Sequence, residues 1–140
     1  MTIKQISVFV ENAPGKLADI TDTLYKNGID IRALSIADTS DYGVLRLIVD
    51  KIDTAYDVLK ESGVVVLKND VLAVNLPDVP GGFAKAVRTL SDAGIEIEYS
   101  YAFLTRTVGS ACVIFRVENN EAASDTLSKA GFEVAQADMF

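Results

Sequence analysis

The stretch "ENAPGKLADITDTLYKNGIDI", Glu11 to Ile31, decides the reading of the chain because it is written twice: Pro77 to Ile97 reads "PDVPGGFAKAVRTLSDAGIEI". Pro14-Gly15 returns as Pro80-Gly81, 66 positions on, and Gly28-Ile29 returns as Gly94-Ile95 at the same offset. Between these marks Leu17, Ile20 and Leu24 recur at helical spacing, as do Phe83, Ala86, Val87 and Leu90, so each stretch predicts one amphipathic helix. Proline suits a first helical position, and a glycine past the last turn is a natural stop.

Working outward, the offset also aligns Leu24 with Leu90, Ile31 with Ile97, Gly43 with Gly109 and Ile48 with Ile114. After a slip of two, Gly63-Val64 meets Gly131-Phe132. Two copies of about 68 residues therefore fill nearly all of the 140, with domains expected at 1–69 and 70–140. In each copy a first strand (Ile6–Val10; Val71–Leu76) precedes the helix. A second strand (Ile29–Ile36; Ile95–Phe103) and a third (Val44–Val49; Ala111–Val117) come after it. A second helix, starting near Asp53 or near Asn119 or Asn120, and a fourth strand (Val64–Lys68; Phe132–Ala137) close the copy. The order βαββαβ, twice, predicts an α+β fold of two ferredoxin-like domains, each with an antiparallel sheet under two helices. The link "NDV" at Asn69 to Val71 is short, and one rigid unit with pseudo-twofold symmetry is expected. Tyr99, Tyr101 and Phe103 fall at period two in an apolar stripe and are expected in the core.

Composition narrows the functions. Half the residues are apolar (49%) and 24% charged, a globular balance without any run long enough to cross a bilayer. The net charge of −7 argues against nucleic acid, whose phosphates need a basic surface. There is no histidine, which removes the usual general base and the commonest transition-metal ligand, and the single Cys112 reads as a buried structural thiol. No spaced ligand loop or Cys-x-x-Cys pair is present, so no metal or cofactor is expected, and catalysis is not expected either. With no signal-peptide pattern at the N-terminus, a cytoplasmic location follows.

The first helices share an oddity. With proline at the first helical position, Ala13 and Val79 occupy the capping position, where neither can accept a hydrogen bond. The second helices have Asp53 and Asn119 or Asn120 for that task. Two occupants fit the uncapped ends. A ligand carboxylate would be drawn by the exposed amides and the helix dipole, with Gly15, Gly81 and Gly82 allowing close approach. Otherwise Asn12 and Asp78 fold back as caps, or water serves.

"FVENAPGKLADITDTLYKNGIDI" and "NLPDVPGGFAKAVRTLSDAGIEI" both resemble the opening half of an ACT domain, and the whole chain resembles a stand-alone tandem ACT protein. The resemblance implies a regulatory protein that binds a small molecule, an amino acid first of all, where two ACT domains pack side by side. The loop between first strand and first helix would hold it, here Asn12, Ala13, Gly15, Lys16 and Leu17, and Asp78, Val79, Gly81, Gly82 and Phe83 in the second copy. The start of a neighbouring second strand, Asp30 or Glu96, would complete the site. Serine-binding members carry asparagine at both polar positions and a histidine two residues before the loop one. Here Asn12 agrees, but Asp30, Asp78 and Glu96 are acidic, and Val10 and Leu76 replace the histidine. That departure points to a ligand presenting an ammonium to a carboxylate and an apolar side chain to Val10, Leu76 and Phe83. The partners implied are the small-molecule ligand, a second copy in a homodimer, and a regulated enzyme of amino-acid or aryl-acid metabolism. The rival expectation is an assembly or partner-binding module with no ligand.

Overall fold

The computed structural model describes residues 2–38, 41–104 and 108–136. Its chain forms two compact units, Lys4–Asn69 and Met1–Ile3 with Asp70–Phe140. In the first unit β1 (Ile3–Glu11), α1 (Lys16–Lys26), β2 (Ile31–Asp38), β3 (Tyr42–Val49), α2 (Ile52–Glu61) and β4 (Val65–Pro77) follow in order. The strands lie as β2-β3-β1-β4, with β1 and β2 antiparallel to β3. The second unit takes over the later residues of β4 and adds α3 (Gly82–Asp92), β5 (Tyr99–Ala102), β6 (Ser110–Arg116), α4 (Asn120–Lys129) and β7 (Glu133–Val134). There β7 and β6 flank β4, and β5 pairs β6, all antiparallel. This is the predicted α+β order of two ferredoxin-like repeats.

Each unit has its own core on the helix-covered side of its sheet. In the first, Ile6 and Val8 of β1 and Leu45 and Leu47 of β3 meet Ile20 and Leu24 of α1 and Leu59 of α2. In the second, Leu72 and Val74 with Val113 and Phe115 meet Ala86, Leu90, Ala123 and Leu127. Burying one such Leu or Phe side chain stabilises by about 2–3 kcal/mol, so the period-3.6 and period-2 apolar patterns both do their work here. Both first helices end in the same stop: Ile29 N–H reaches Leu24 O and Gly28 N–H reaches Tyr25 O, and Ile95 and Gly94 repeat these bonds to Leu90 and Ser91. That pair of bonds is the Schellman motif.

Four sequence expectations change. The link at Asn69 and Asp70 is not a break but the middle of a single 13-residue strand. Three bonds tie it into the fold: Ser7 Oγ donates to Asn69 Oδ1 (3.0 Å), and Arg116 Nη1 and Asn120 Nδ2 both donate to Asp70 O (3.2 Å each). The second strands start later than expected, at Ile31 and Tyr99, because ladder bonding begins only there; Glu98 N–H to Arg116 O (2.8 Å) marks the point in the second unit. Of the fourth strand expected at Phe132–Ala137 only Glu133–Val134 pairs, and Ala137 lies outside the described residues.

The aromatic stripe is the fourth correction. Ser100 pairs Phe115, which is core, so Tyr99 and Tyr101 face the opposite side of the sheet, opposite Arg116 and Ile114. They are half-buried on an edge strand and stack on one another at 6.4 Å, while Ile95 and Ile97 take the core contacts. The alternation is present in sequence, but the chain enters the ladder between Ile97 and Tyr99, and the face changes there.

Candidate functional site

The proline-led segments fold alike, and not as helix starts. Lys16 N–H donates to Ala13 O (3.3 Å) and Gly82 N–H to Val79 O (3.0 Å). Pro14 and Pro80 stand second in these four-residue turns, and Gly15 and Gly81 third, at φ 87° and ψ −13° and at φ 88° and ψ −7°. Proline followed by a left-handed glycine is a type II turn, which only glycine enters without strain. The helix N-cap is therefore Gly15 or Gly81, with Ala13 and Val79 two residues upstream. Glycine at the N-cap brings no side chain to either helix end, and Asp78 does not fold back onto α3. Asn12 Oδ1 lies 3.7 Å from where a Cβ on Gly43 would be, and Asp78 N–H donates to Gly109 O (3.1 Å).

The contrast with the second helices is smaller than the sequence promised. Asn119 does cap α4, accepting from Ala122 N–H at 3.0 Å. Asp53 does not cap α2: that helix starts at Ile52 with Lys51 as N-cap, and Asp53 pairs with Lys68 (2.9 Å). That bond raises the pKa of Lys68, outweighing an opposing burial effect, with the Asp53 and Asp57 charges adding to it. What sets α1 and α3 apart is thus the turn that leads into them, not the missing cap alone.

Beside each turn lies a hollow contained within one unit. The first, about 430 Å³, is walled by Phe9, Glu11, Lys16, Asp19 and Tyr42 and by the turn Ser62-Gly63-Val64 before β4. The second, about 400 Å³, has Asn75, Pro77, Gly82, Lys85 and the turn Ala130-Gly131-Phe132. Allowing for the two-residue slip, these walls occupy the same repeat positions. The chemistry differs: Lys85 stands where the first copy has Asp19, and its Nζ lies 6.0 Å from the Phe132 ring centre.

Of the expected site residues, Lys16 lines the first hollow and Val79, Gly81 and Gly82 line the second. Asn12, Ala13, Gly15 and Leu17, and Asp78 and Phe83, stay in the adjoining turns and helix starts; Phe83 is half-exposed and stacks on Phe115 at 5.8 Å. Asp30 and Glu96 are elsewhere. Glu11 pairs Tyr42 at one end of the first sheet, while Asp30 bonds Asp50 at the other, eight residues along β3 or roughly 26 Å. Asp30 is also ion-paired to Arg32 (3.0 Å). Glu96 likewise lies past the Arg116 end of β6, opposite the Pro77–Ser110 end that carries the second turn. Within one unit, then, neither carboxylate meets its own loop. Sequence reasoning missed Phe9, Glu11, Asp19, Tyr42 and Lys85; the signal available was the repeated Gly63 and Gly131, which marks the turn closing each hollow.

Among the described residues no group of three His, Cys, Asp or Glu could hold a metal ion, and no helix is long and apolar enough to cross a membrane. Burial, with the Glu133 carboxylate adding to it, pushes the Cys112 thiol up to about 11.

Comparison with known proteins supplies the context. A family model described as an ACT domain pair matches residues 1–139. The crystal structure of protein BT0572 from Bacteroides thetaiotaomicron is 36% identical, with 98% of this chain and 94% of that one covered at a TM-score of 0.91. The ligand-free regulatory subunit of aspartate kinase from Thermus thermophilus shares 20% identity over 91% of this chain and 92% of its own, with a TM-score of 0.69. Its counterpart from Thermus flavus shares 19% over 91% of each, at 0.63. No curated protein matches.

Proposed function

The chain belongs to the ACT family as a pair of ACT domains, and from that premise we propose that it is a regulatory protein that binds an amino acid at its proline-led turns. The observation that carries this is the duplicated type II turn delivering an uncapped helix N-terminus at the same place in both repeats. The first amides of a helix have no intrahelical partner, and together with the helix dipole they favour a carboxylate. Asp30 and Glu96 join such a site only from a domain other than the one whose loop they serve, since each lies at the far end of its own sheet. Their role would be to hold the ammonium, with a charge-assisted hydrogen bond contributing about 1.5–3 kcal/mol. The chain itself performs no catalysis in this reading; it regulates an enzyme of amino-acid or aryl-acid metabolism.

Isothermal titration of the protein against the twenty amino acids tests the proposal. Saturable heat with one or a few of them, weakened at least tenfold by substituting Gly15 and Gly81, is the expected result. Silence across the panel, with a stable complex to another protein, would replace the proposal by the ligand-free assembly module.

A further inference from the structure

The stretch "RALSIAD", Arg32 to Asp38, reads alike from either end: Arg answers Asp, Ala answers Ala and Leu answers Ile, about a central Ser35. It makes up nearly all of β2, which ends the strand order, with β3 on one side and no strand on the other among the described residues. The outer row of amides and carbonyls is a sheet edge, onto which another strand can pair. Regular pairing with β3 runs from Ala33 to Asp38, and the slip between Ile31 and Ala33 falls at its start. No proline or lysine guards the stretch. Leu34 and Ile36 lie opposite the core residues Leu47 and Leu45, so they stand on the helix-covered face. At 38% and 49% exposed they still have much apolar surface to bury.

We propose that β2 is a self-pairing edge, on which a second copy of this chain docks its own β2 antiparallel, with the two Ser35 residues opposite each other. Residues directly opposite in an antiparallel pair have neighbouring side chains, which stabilise the pair when both are apolar or their charges are opposite. In this register Leu34 meets the partner's Ile36 on each side of the twofold axis, and the apolar side chains of both copies join on the helix-covered face. Ala33, Ser35 and Ala37 take the other face, where small side chains leave room for the approach. Arg32 meets the partner's Asp38 at both ends. Within one copy Arg32 is ion-paired to Asp30 (3.0 Å), and a guanidinium has donors enough for two carboxylates. A slip of two residues one way sets Asp38 against the partner's Asp30, and the other way sets Leu34 against Asp38, so the sequence disfavours both.

The second repeat lacks the pattern. Its equivalent stretch "EYSYAFL", Glu98 to Leu104, would set Glu98 against Leu104 and Ser100 against Ala102, and its strand β5 is only four residues long. The pairing therefore closes as a twofold dimer through the first repeats. It also carries the partner's Asp30 beyond Asp38, at the sheet end where Asp38 pairs Gly43 and Gly43 pairs Val10, beside the first proline-led turn. The second-strand carboxylate that the proposed amino-acid site takes from another domain then has a source, although the pairing itself needs no ligand.

Sedimentation equilibrium of the intact chain, with no amino acid added, tests this. A dimer at micromolar concentration is expected, and Leu34→Lys should raise its dissociation constant at least tenfold. Asp38→Arg and Arg32→Asp should each do the same alone, since each sets like charges opposite at both ends of the pair. Mixed in equal amounts the two charge variants should dimerise again, because every Arg then faces an Asp. Ser35→Cys on a Cys112→Ala background should form an interchain disulfide under mild oxidation faster than Leu34→Cys or Ile36→Cys, because directly opposite Cα atoms lie about 4.5–5.5 Å apart. A monomer at every concentration, a dimer untouched by all three substitutions, or faster cross-linking at Leu34 or Ile36 would each overturn the pairing. Titration with amino acids is a separate measurement: a dimer that binds none refutes the regulatory reading alone, and a monomer that binds one refutes this inference alone.

Discussion

The turns at Pro14-Gly15 and Pro80-Gly81 agree in backbone to within a few degrees, yet the residues that follow them have parted company. Lys16 is exposed; Gly82, its counterpart, is buried with a would-be Cβ only 2.3 Å from Pro77 O. The first copy tolerates a long side chain where the second tolerates none. The backbone device is thus separable from the surface it serves. The same divergence runs through the rest: Asp19 against Lys85 at the hollows, and Arg32 and Asp50 against Glu98 and Arg116 at the far ends of the sheets. A duplicated fold has kept its geometry and changed the charges it presents.

The largest expected break in this comparison is at its point of greatest difference. Gly82→Ala sets a methyl against a backbone oxygen that cannot rotate away, and should cost about 3 kcal/mol of unfolding free energy. Lys16→Ala at the equivalent place should stay within about 0.5 kcal/mol. Denaturant midpoints of the two variants measure both. Where the repeats agree, the effects should agree: Gly15→Ala and Gly81→Ala each force a Cβ into the left-handed region, and each should cost about 1–2 kcal/mol. Open space surrounds both positions, so the conformational cost is undiluted by clashes. Unequal losses would mean the two turns are not the same device.

The second helices sharpen the contrast at a lower level. Asn119→Ala removes a working cap and should lose about 1 kcal/mol. Asp53→Ala removes only an exposed ion pair with Lys68 and should lose at most a few tenths of that, roughly 0–0.5 kcal/mol. Smallest is a pH slope confined to the second repeat, where Cys112 stands at the position Arg46 holds in the first. Its thiol is held up near 11 in the fold against 9.0 ordinarily, so above pH 9 the unfolded chain gives up that proton first. Stability should accordingly be whole below pH 9 and decline from pH 9 to 11, and Cys112→Ala should flatten that part of the decline in denaturation midpoints.

The fold was legible because the repeat is legible. Period-3.6 helices bracketed by proline turns and glycine stops, and apolar strands between them, recur at fixed offsets, and the observed cores use Leu24 and Leu90, Leu59 and Leu127 as that pattern requires. What escaped was local. The proline at a helix start and the proline of a type II turn look alike until the φ of the next glycine is known. Asp53 has a capping residue's chemistry but sits one residue inside the helix. Tyr99 and Tyr101 continue an alternation whose face reverses where pairing begins. Of the site, the turns were readable from composition; the hollows were not, since they join β1, α1 and the turn before the last strand, residues more than forty positions apart in sequence.

The central claim is that ligand carboxylate meets the amides at the two proline-led turns. Backbone amide resonances, recorded while each amino acid that binds is titrated in, measure this most directly. The account predicts the largest shifts at Leu17 and Ala18 and at Phe83 and Ala84, whose amides no turn bond uses. Shifts that spare these amides while an amino acid saturates the protein would contradict it.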